Sequence, residues 1–181
     1  MKSFYLVANM IALFMVSLSV LALEVALTRI FSVLVWYHFV FAIISTALFG
    51  LGLGGLVIHV IVRYFPIGPW ISLTSVSLFA LTVPITIALL MHFPYPTLWI
   101  GYILIAIIPF AFAGMSIASI FYQYAEESGK LYFADLIGAS LGSILVPTVM
   151  GKISPINMAL WIGAIDALGA LLLQLMFLLK T

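Results

Sequence analysis

The sequence predicts an all-α protein, a bundle of about six transmembrane helices in a single domain over residues 1–181. Two observations carry this prediction. Of its 181 residues, 66% are hydrophobic and only 6% are charged, which is too few charges to cover a water-exposed surface. The chain also divides into six apolar segments, each close to the roughly 20 residues that a helix needs to cross a bilayer. The predicted spans cover residues 4–28, 36–62, 70–91, 97–122, 131–150 and 155–179.

The first span follows Lys2 and is too long for a signal peptide, so we expect it to be retained. No glycine or proline occurs before Gly50, yet one straight helix over that length would reach about 70 Å, more than twice the hydrocarbon thickness. We therefore expect the chain to turn between Glu24 and Trp36, where a short interfacial helix would fit.

Proline, glycine and polar residues mark the later boundaries, because proline lacks an amide proton and restricts the residue before it. The predicted connections contain Pro66 to Pro69, Pro94 and Pro96, the polar run Glu126–Lys130, and the turn Gly151–Pro155. Three further prolines fall inside predicted spans, where packing kinks are the expected role and transport hinges the alternative; they are Pro84, Pro109 and Pro147.

Lysine and arginine in the short connections predict the orientation. With six spans, one side carries four of these residues and the other carries two, Arg29 and Lys152. Because the more basic side of a membrane protein faces the cytoplasm, we expect both termini there.

Five polar residues form the candidate intramembrane polar sites. Asp166 lies near the middle of the last span with no lysine or arginine within helical reach, so it is either a neutral interhelical donor or part of a proton or cation relay. Asp135 is expected to form a structural ion pair with Lys130 or Arg63. The remaining candidates form one possible polar site near the opposite face; they are Glu24, Arg29 and His38.

Two pairs of glycines follow the G-x-x-x-G spacing that lets membrane helices approach closely. Gly50 and Gly54 lie in the second span, and Gly138 and Gly142 in the fifth. We expect these spans to approach a neighbour closely, with each other as one candidate pairing. The run from Gly50 to Gly55 also matches a G-x-G-x-x-G string, but a dinucleotide site needs a preceding strand and a helix start, and this run lies inside a predicted span.

No catalytic, cofactor or metal site is predicted. The chain has no cysteine, which removes thiolate ligands and thiol nucleophiles. Its three histidines, His38, His59 and His92, lack the short spacing of a metal motif. A net charge of +1 gives no case for a nucleic-acid partner.

Two stretches carry a family resemblance. The first is LEVALTRIFSVL, from Leu23 to Leu34, which continues through His38 to the glycines at 50–55; the second is LYFADLIGASLG, from Leu131 to Gly142. Both resemble the membrane-embedded N-terminal region of bacterial and archaeal spermidine synthase-like proteins. In that family a multi-span region precedes a cytosolic aminopropyltransferase-type domain.

The resemblance implies a prokaryotic cell membrane and matches Glu24, Thr28, Arg29, His38, Asp135 and the glycines of the membrane motif. The sequence ends at Thr181, just after the last span, so no aminopropyl-transfer residue can be assigned.

Three functional hypotheses follow. The leading one is a non-catalytic membrane subunit or anchor that packs with other membrane subunits or recruits a separate soluble enzyme. The second is a small transporter for polyamines or another cation that uses Asp166, as a homo-oligomer. The third is an intramembrane enzyme at Glu24, Arg29 and His38, which lacks a nucleophile with an adjacent base.

Overall fold

Six α-helices make up almost all of the computed structural model, which describes residues 2–34, 40–66, 68–92, 99–149 and 152–178. Each helix is long and apolar enough to cross a membrane, which confirms the all-α transmembrane prediction. A 3₁₀ turn at Ala125–Glu127 precedes the fifth helix. The helices are α1 (Lys2–Leu34), α2 (Val40–Tyr64), α3 (Pro69–His92), α4 (Trp99–Gln123), α5 (Ser128–Val149) and α6 (Pro155–Leu178).

The first helix is longer than predicted. It runs without a break through 33 residues, so Glu24 and Arg29 lie inside α1, and no separate interfacial helix forms before Leu34. The helix continues because Leu23, Ala26 and Leu27 begin a stripe at helical spacing that Ile30 and Phe31 extend, and all five are buried in the bundle. The predicted turn between Glu24 and Trp36 is therefore wrong as far as Leu34, and the last two residues of that range lie outside the described residues.

The polar run after α4 is also more helical than predicted. The 3₁₀ turn is closed by a hydrogen bond of 2.9 Å from the amide of Glu127 to the carbonyl of Tyr124. The next helix then begins at Ser128, three residues before the predicted start. An ion pair of 2.8 Å joins Lys130 to Glu127 across this junction, with both side chains well exposed.

The turn into α6 follows the prediction. Pro155 is the first residue of the helix, a position where its missing amide proton costs nothing. Ser154 caps the helix, because its hydroxyl accepts a hydrogen bond of 3.3 Å from the amide of Asn157. Pro84, Pro109 and Pro147 lie inside α3, α4 and α5, as predicted.

The first helix is the centre of the bundle. It packs extensively against four of the other five helices, and it is the most buried of the six spans. The helices α1, α6, α3 and α4 form a closed ring, while α2 packs mainly on α4 and α5 mainly on α1. The largest fully buried side chains include Phe79 of α3 and Phe110 of α4.

Both glycine pairs make the predicted close approaches, but to different partners. A methyl group on Gly54 would overlap the backbone of Ala111, Gly114 and Met115 in α4. A methyl group on Gly142 would overlap the backbone of Leu18 in α1. The pairing of α2 with α5 is therefore wrong, because hydropathy indicates which segments are helices but not which helices are neighbours.

Candidate functional site

The polar groups of the bundle interior are arranged around α1. Three of its polar side chains are buried, Asn9, Ser17 and Ser19. Each lies beside a different polar side chain from another part of the chain. The central helix therefore determines where the candidate carboxyl groups meet polar neighbours.

Asp166 is fully buried near the middle of α6. The hydroxyl of Ser19 on α1 lies close to this carboxyl but does not meet hydrogen-bond geometry with it, and no other described residue bonds to either group. Three polar atoms without a well-formed hydrogen bond are thus enclosed in a packed core. Such groups are rare in folded proteins and usually have a specific explanation.

Asp135 has a different partner from the one expected. One of its carboxyl oxygens accepts a short hydrogen bond from the hydroxyl of Ser17 on α1. The expected ion pair with Lys130 or Arg63 is absent, because Lys130 pairs with Glu127 instead. Arg63 lies in the last turn of α2, and that helix makes no extensive contact with α5.

The two aspartates lie on different sides of α1. Ser17 and Ser19 are separated by about 3 Å of rise but by about 200° around the helix axis. One serine accordingly meets α5 and the other meets α6. The carboxyl groups therefore lie at similar depth without forming one site.

The third group of candidates is dispersed. Glu24 is partly buried and Arg29 is exposed, and no ion pair joins them in the described part of the chain. Five residues of separation place them about 140° apart around α1, too far for a same-helix pair. His38 lies outside the described residues.

A polar seam between α3 and α4 was missed by the sequence analysis. The hydroxyl of Ser119 donates a hydrogen bond of 3.1 Å to that of Ser72, which also accepts one from the amide of Gln123. Ser116, Ser119 and Gln123 share one face of α4, since they are spaced three and four residues apart. That spacing is the signal that could have identified the seam.

A second missed contact joins α1 to the end of α4. The side-chain amide of Asn9 donates hydrogen bonds of 2.8 Å to the carbonyl of Tyr5 and 3.2 Å to the hydroxyl of Tyr124. Burial raises the pKa of Tyr124, and the nearby Tyr5 raises it further. The phenol therefore remains a neutral partner for Asn9.

The structure offers little for a metal or a cofactor. Among the described residues, no group of three His, Asp or Glu side chains is placed to hold a metal ion. An open groove between α3 and α6 is lined almost entirely by apolar side chains, including Ile85, Ala88 and Leu160, with His92 at its edge. Such a lining suits lipid chains better than a polar ligand.

The outer surface of α5 differs from the other lipid-facing surfaces. This span has the lowest mean hydropathy of the six, and only 22% of its most apolar segment is buried, against 33% for α2, the next least buried. We define the α5 outer face by the exposed residues after the first turn of this helix: Tyr132, Phe133, Leu136, Ile137, Ser140, Leu141, Ile144, Leu145, Pro147 and Thr148.

Comparison with known proteins identified no relative of this chain. No protein-family model matches the chain, and neither the curated proteins nor the solved structures searched contain a match.

Proposed function

We propose that this protein is a non-catalytic integral membrane subunit that packs with other membrane subunits through the α5 outer face. The observation that carries the proposal is the mismatch between composition and burial in α5. The least apolar span is also the least buried one. In a lipid solvent the opposite arrangement is expected, because lipid favours the most apolar surface.

The residues of α5 fit an interface between helices. Ser140 and Thr148 are exposed and bond only to carbonyls of their own helix, at 2.7 Å from Ser140 to Leu136 and at 2.7 Å from Thr148 to Leu145. Interfaces between membrane helices are rich in small and hydroxyl residues. Asp135, partly exposed on the same helix, adds a carboxylate that lipid solvates poorly.

Site-directed photo-cross-linking in the native membrane tests the proposal. The chain contains no cysteine, so a single introduced cysteine carries the label at a known position. Ile144→Cys on α5 and Leu81→Cys on α3 form a matched pair, because both side chains are 61% exposed. A photoreactive maleimide should yield a protein adduct from Ile144→Cys and only lipid adducts from Leu81→Cys.

Two results would contradict the proposal. One is lipid adducts alone from both positions. The other is a protein that remains a lone monomer after extraction of native membranes in mild detergent.

The proposal also covers the membrane in which the protein resides, its orientation there, and a soluble partner enzyme. The distribution of lysine and arginine supports cytoplasmic termini, and the family resemblance supports a prokaryotic cell membrane. A separately encoded soluble enzyme of the aminopropyltransferase type would then meet the subunit on the cytoplasmic side. Cross-linking from Glu126→Cys, in the exposed turn before α5, would detect such an enzyme.

Transport of a proton or another cation is the second candidate function. It is favoured by Asp166, whose buried carboxyl has no partner among the described residues. In proteoliposomes, Asp166→Asn should then abolish cation-dependent uptake while leaving the helix content unchanged. Unaltered uptake would exclude this function. The intramembrane-enzyme hypothesis gains no supporting contact, since Glu24 and Arg29 form no ion pair in the part of the chain described.

A further inference from the structure

We propose that the subunit packed on α5 contributes a transmembrane helix with a lysine or arginine at the depth of Asp135. This inference rests on the proposed function and names the chemistry of the partner. Asp135 is the eighth residue of α5, at the edge where α5 packs against α1. It is therefore reachable from the α5 outer face.

The hydrogen-bonding capacity of the Asp135 carboxylate is only partly satisfied within the described part of the chain. One oxygen accepts the hydroxyl proton of Ser17, and the other accepts no hydrogen bond from a described residue. The side chain remains partly exposed on a span that faces lipid. A carboxylate in that position is costly unless a cation approaches it, which is why intramembrane carboxylates usually pair.

The described part of the chain supplies no such cation. Lys130, five residues before Asp135, is held by Glu127 at 2.8 Å. Arg63 belongs to a helix without extensive contact with α5. Because none of the described residues provides the complementary charge, a neighbouring chain is its proposed source.

A second copy of this protein fits the surface poorly. A symmetric dimer places the same face of both chains together. Across α5 it would bring two Asp135 side chains toward each other, and like charges destabilise a contact. A different subunit with a cationic side chain satisfies the free oxygen instead, and an arginine can bond to both carboxylate oxygens.

Defined synthetic helices test the proposal. Three apolar transmembrane peptides are compared, with a lysine, a leucine or a glutamate eight residues from the end that lies beside the start of α5. Energy transfer in proteoliposomes reports their binding to the purified chain, labelled at Leu81→Cys on α3. We expect the lysine peptide to bind roughly three- to twentyfold more tightly than the leucine peptide, and the glutamate peptide to bind least.

Asp135→Asn is the discriminating variant. Asparagine keeps an oxygen that can accept the hydroxyl of Ser17, so the contact between α1 and α5 is retained. The preference for lysine should disappear in this variant. It should persist in Glu126→Gln, which removes an exposed carboxylate from the turn outside α5 and leaves the ion pair between Lys130 and Glu127 intact.

Three outcomes would overturn the proposal. These are equal binding of the lysine and leucine peptides, a lysine preference that survives Asp135→Asn, and self-association of labelled copies that excludes the peptides. Adducts from Ile144→Cys in native membranes, found together with any of these, would keep the membrane-subunit function and reject only its cationic partner. Absence of those adducts would reject both.

Discussion

At the residue scale, two serines of α1 show how the same side chain can have opposite effects on the stability of the fold. Ser17 donates to a carboxylate on α5, whereas Ser19 is fully buried with an unpaired hydroxyl. A hydrogen bond between membrane helices stabilises the fold modestly. A buried polar group without a partner does the reverse, because its lost hydration is not replaced.

This contrast predicts different results for two neighbouring substitutions. Ser17→Ala should lower the free energy of unfolding by about 0.6–1.7 kcal/mol, because it removes the donor to Asp135. Ser19→Ala should leave it unchanged or raise it. Unfolding in mixed detergent micelles measures both variants under one condition. A larger loss from Ser19→Ala would show that Ser19 does bond to Asp166 in the membrane.

The sequence predicted the position of both aspartates in the spans, but not their partners. Asp166 is recognisable because a carboxyl among apolar residues stands out in any hydropathy pattern. Ser17 and Ser19 do not stand out, since a serine is common in membrane helices and can bond to its own backbone. Their roles depend on which helices flank α1, and that arrangement is a property of the packed bundle.

At the scale of the helices, glycine determines how closely two helices can approach. Gly54 lies against the backbone of α4. A methyl group added to Gly52, two residues earlier, would have no atom of another helix within 4 Å. The two residues therefore lie on different sides of α2. They form an internal comparison between a packed and an open position in one helix.

We expect opposite effects from adding a methyl group at these positions. Gly54→Ala should destabilise the protein by about 1–3 kcal/mol, since the backbones of α2 and α4 must separate. Gly52→Ala should be neutral or stabilise by up to about 1 kcal/mol, because alanine is the better helix former. Thermal unfolding in detergent compares them. Similar losses from both would mean that α2 does not pack on α4 as described.

Helix boundaries could be predicted where proline or a cap determines them. The turn into α6 was placed correctly because Ser154 and Pro155 supply both signals. The end of α1 was not, since no residue between Glu24 and Leu34 stops a helix and the buried stripe continues. The close approach of the glycines was predictable from spacing alone, whereas their partners required the packing.

At the scale of the whole molecule, six helices place the connections alternately on two sides of the membrane. The turn before α5 and the turn before α6 should lie on opposite sides, because α5 separates them. Only the distribution of basic residues indicates which side is cytoplasmic. The packing within the bundle is the same in either orientation.

Labelling of intact cells tests the orientation. An impermeant maleimide should modify Lys152→Cys from outside and should reach Glu126→Cys only after the membrane is permeabilised. Both native side chains are exposed, so access depends on the side of the membrane. The reverse pattern would place the termini outside the cell. Labelling of both positions in intact cells would contradict the six-span topology.

The length of α1 has a consequence for the lipid around it. Its 33 residues span about 50 Å, whereas the hydrocarbon layer is about 30 Å thick and membrane helices rarely tilt beyond about 40°. Even at that inclination, about 10 Å of helix must project among the phosphate groups. The end that carries Arg29 is suited to this zone, because its exposed guanidinium can bind lipid phosphates where no carboxylate of the described chain reaches it. Such an anchor would fix the height of the central helix, and with it the depth of both aspartates beside α1.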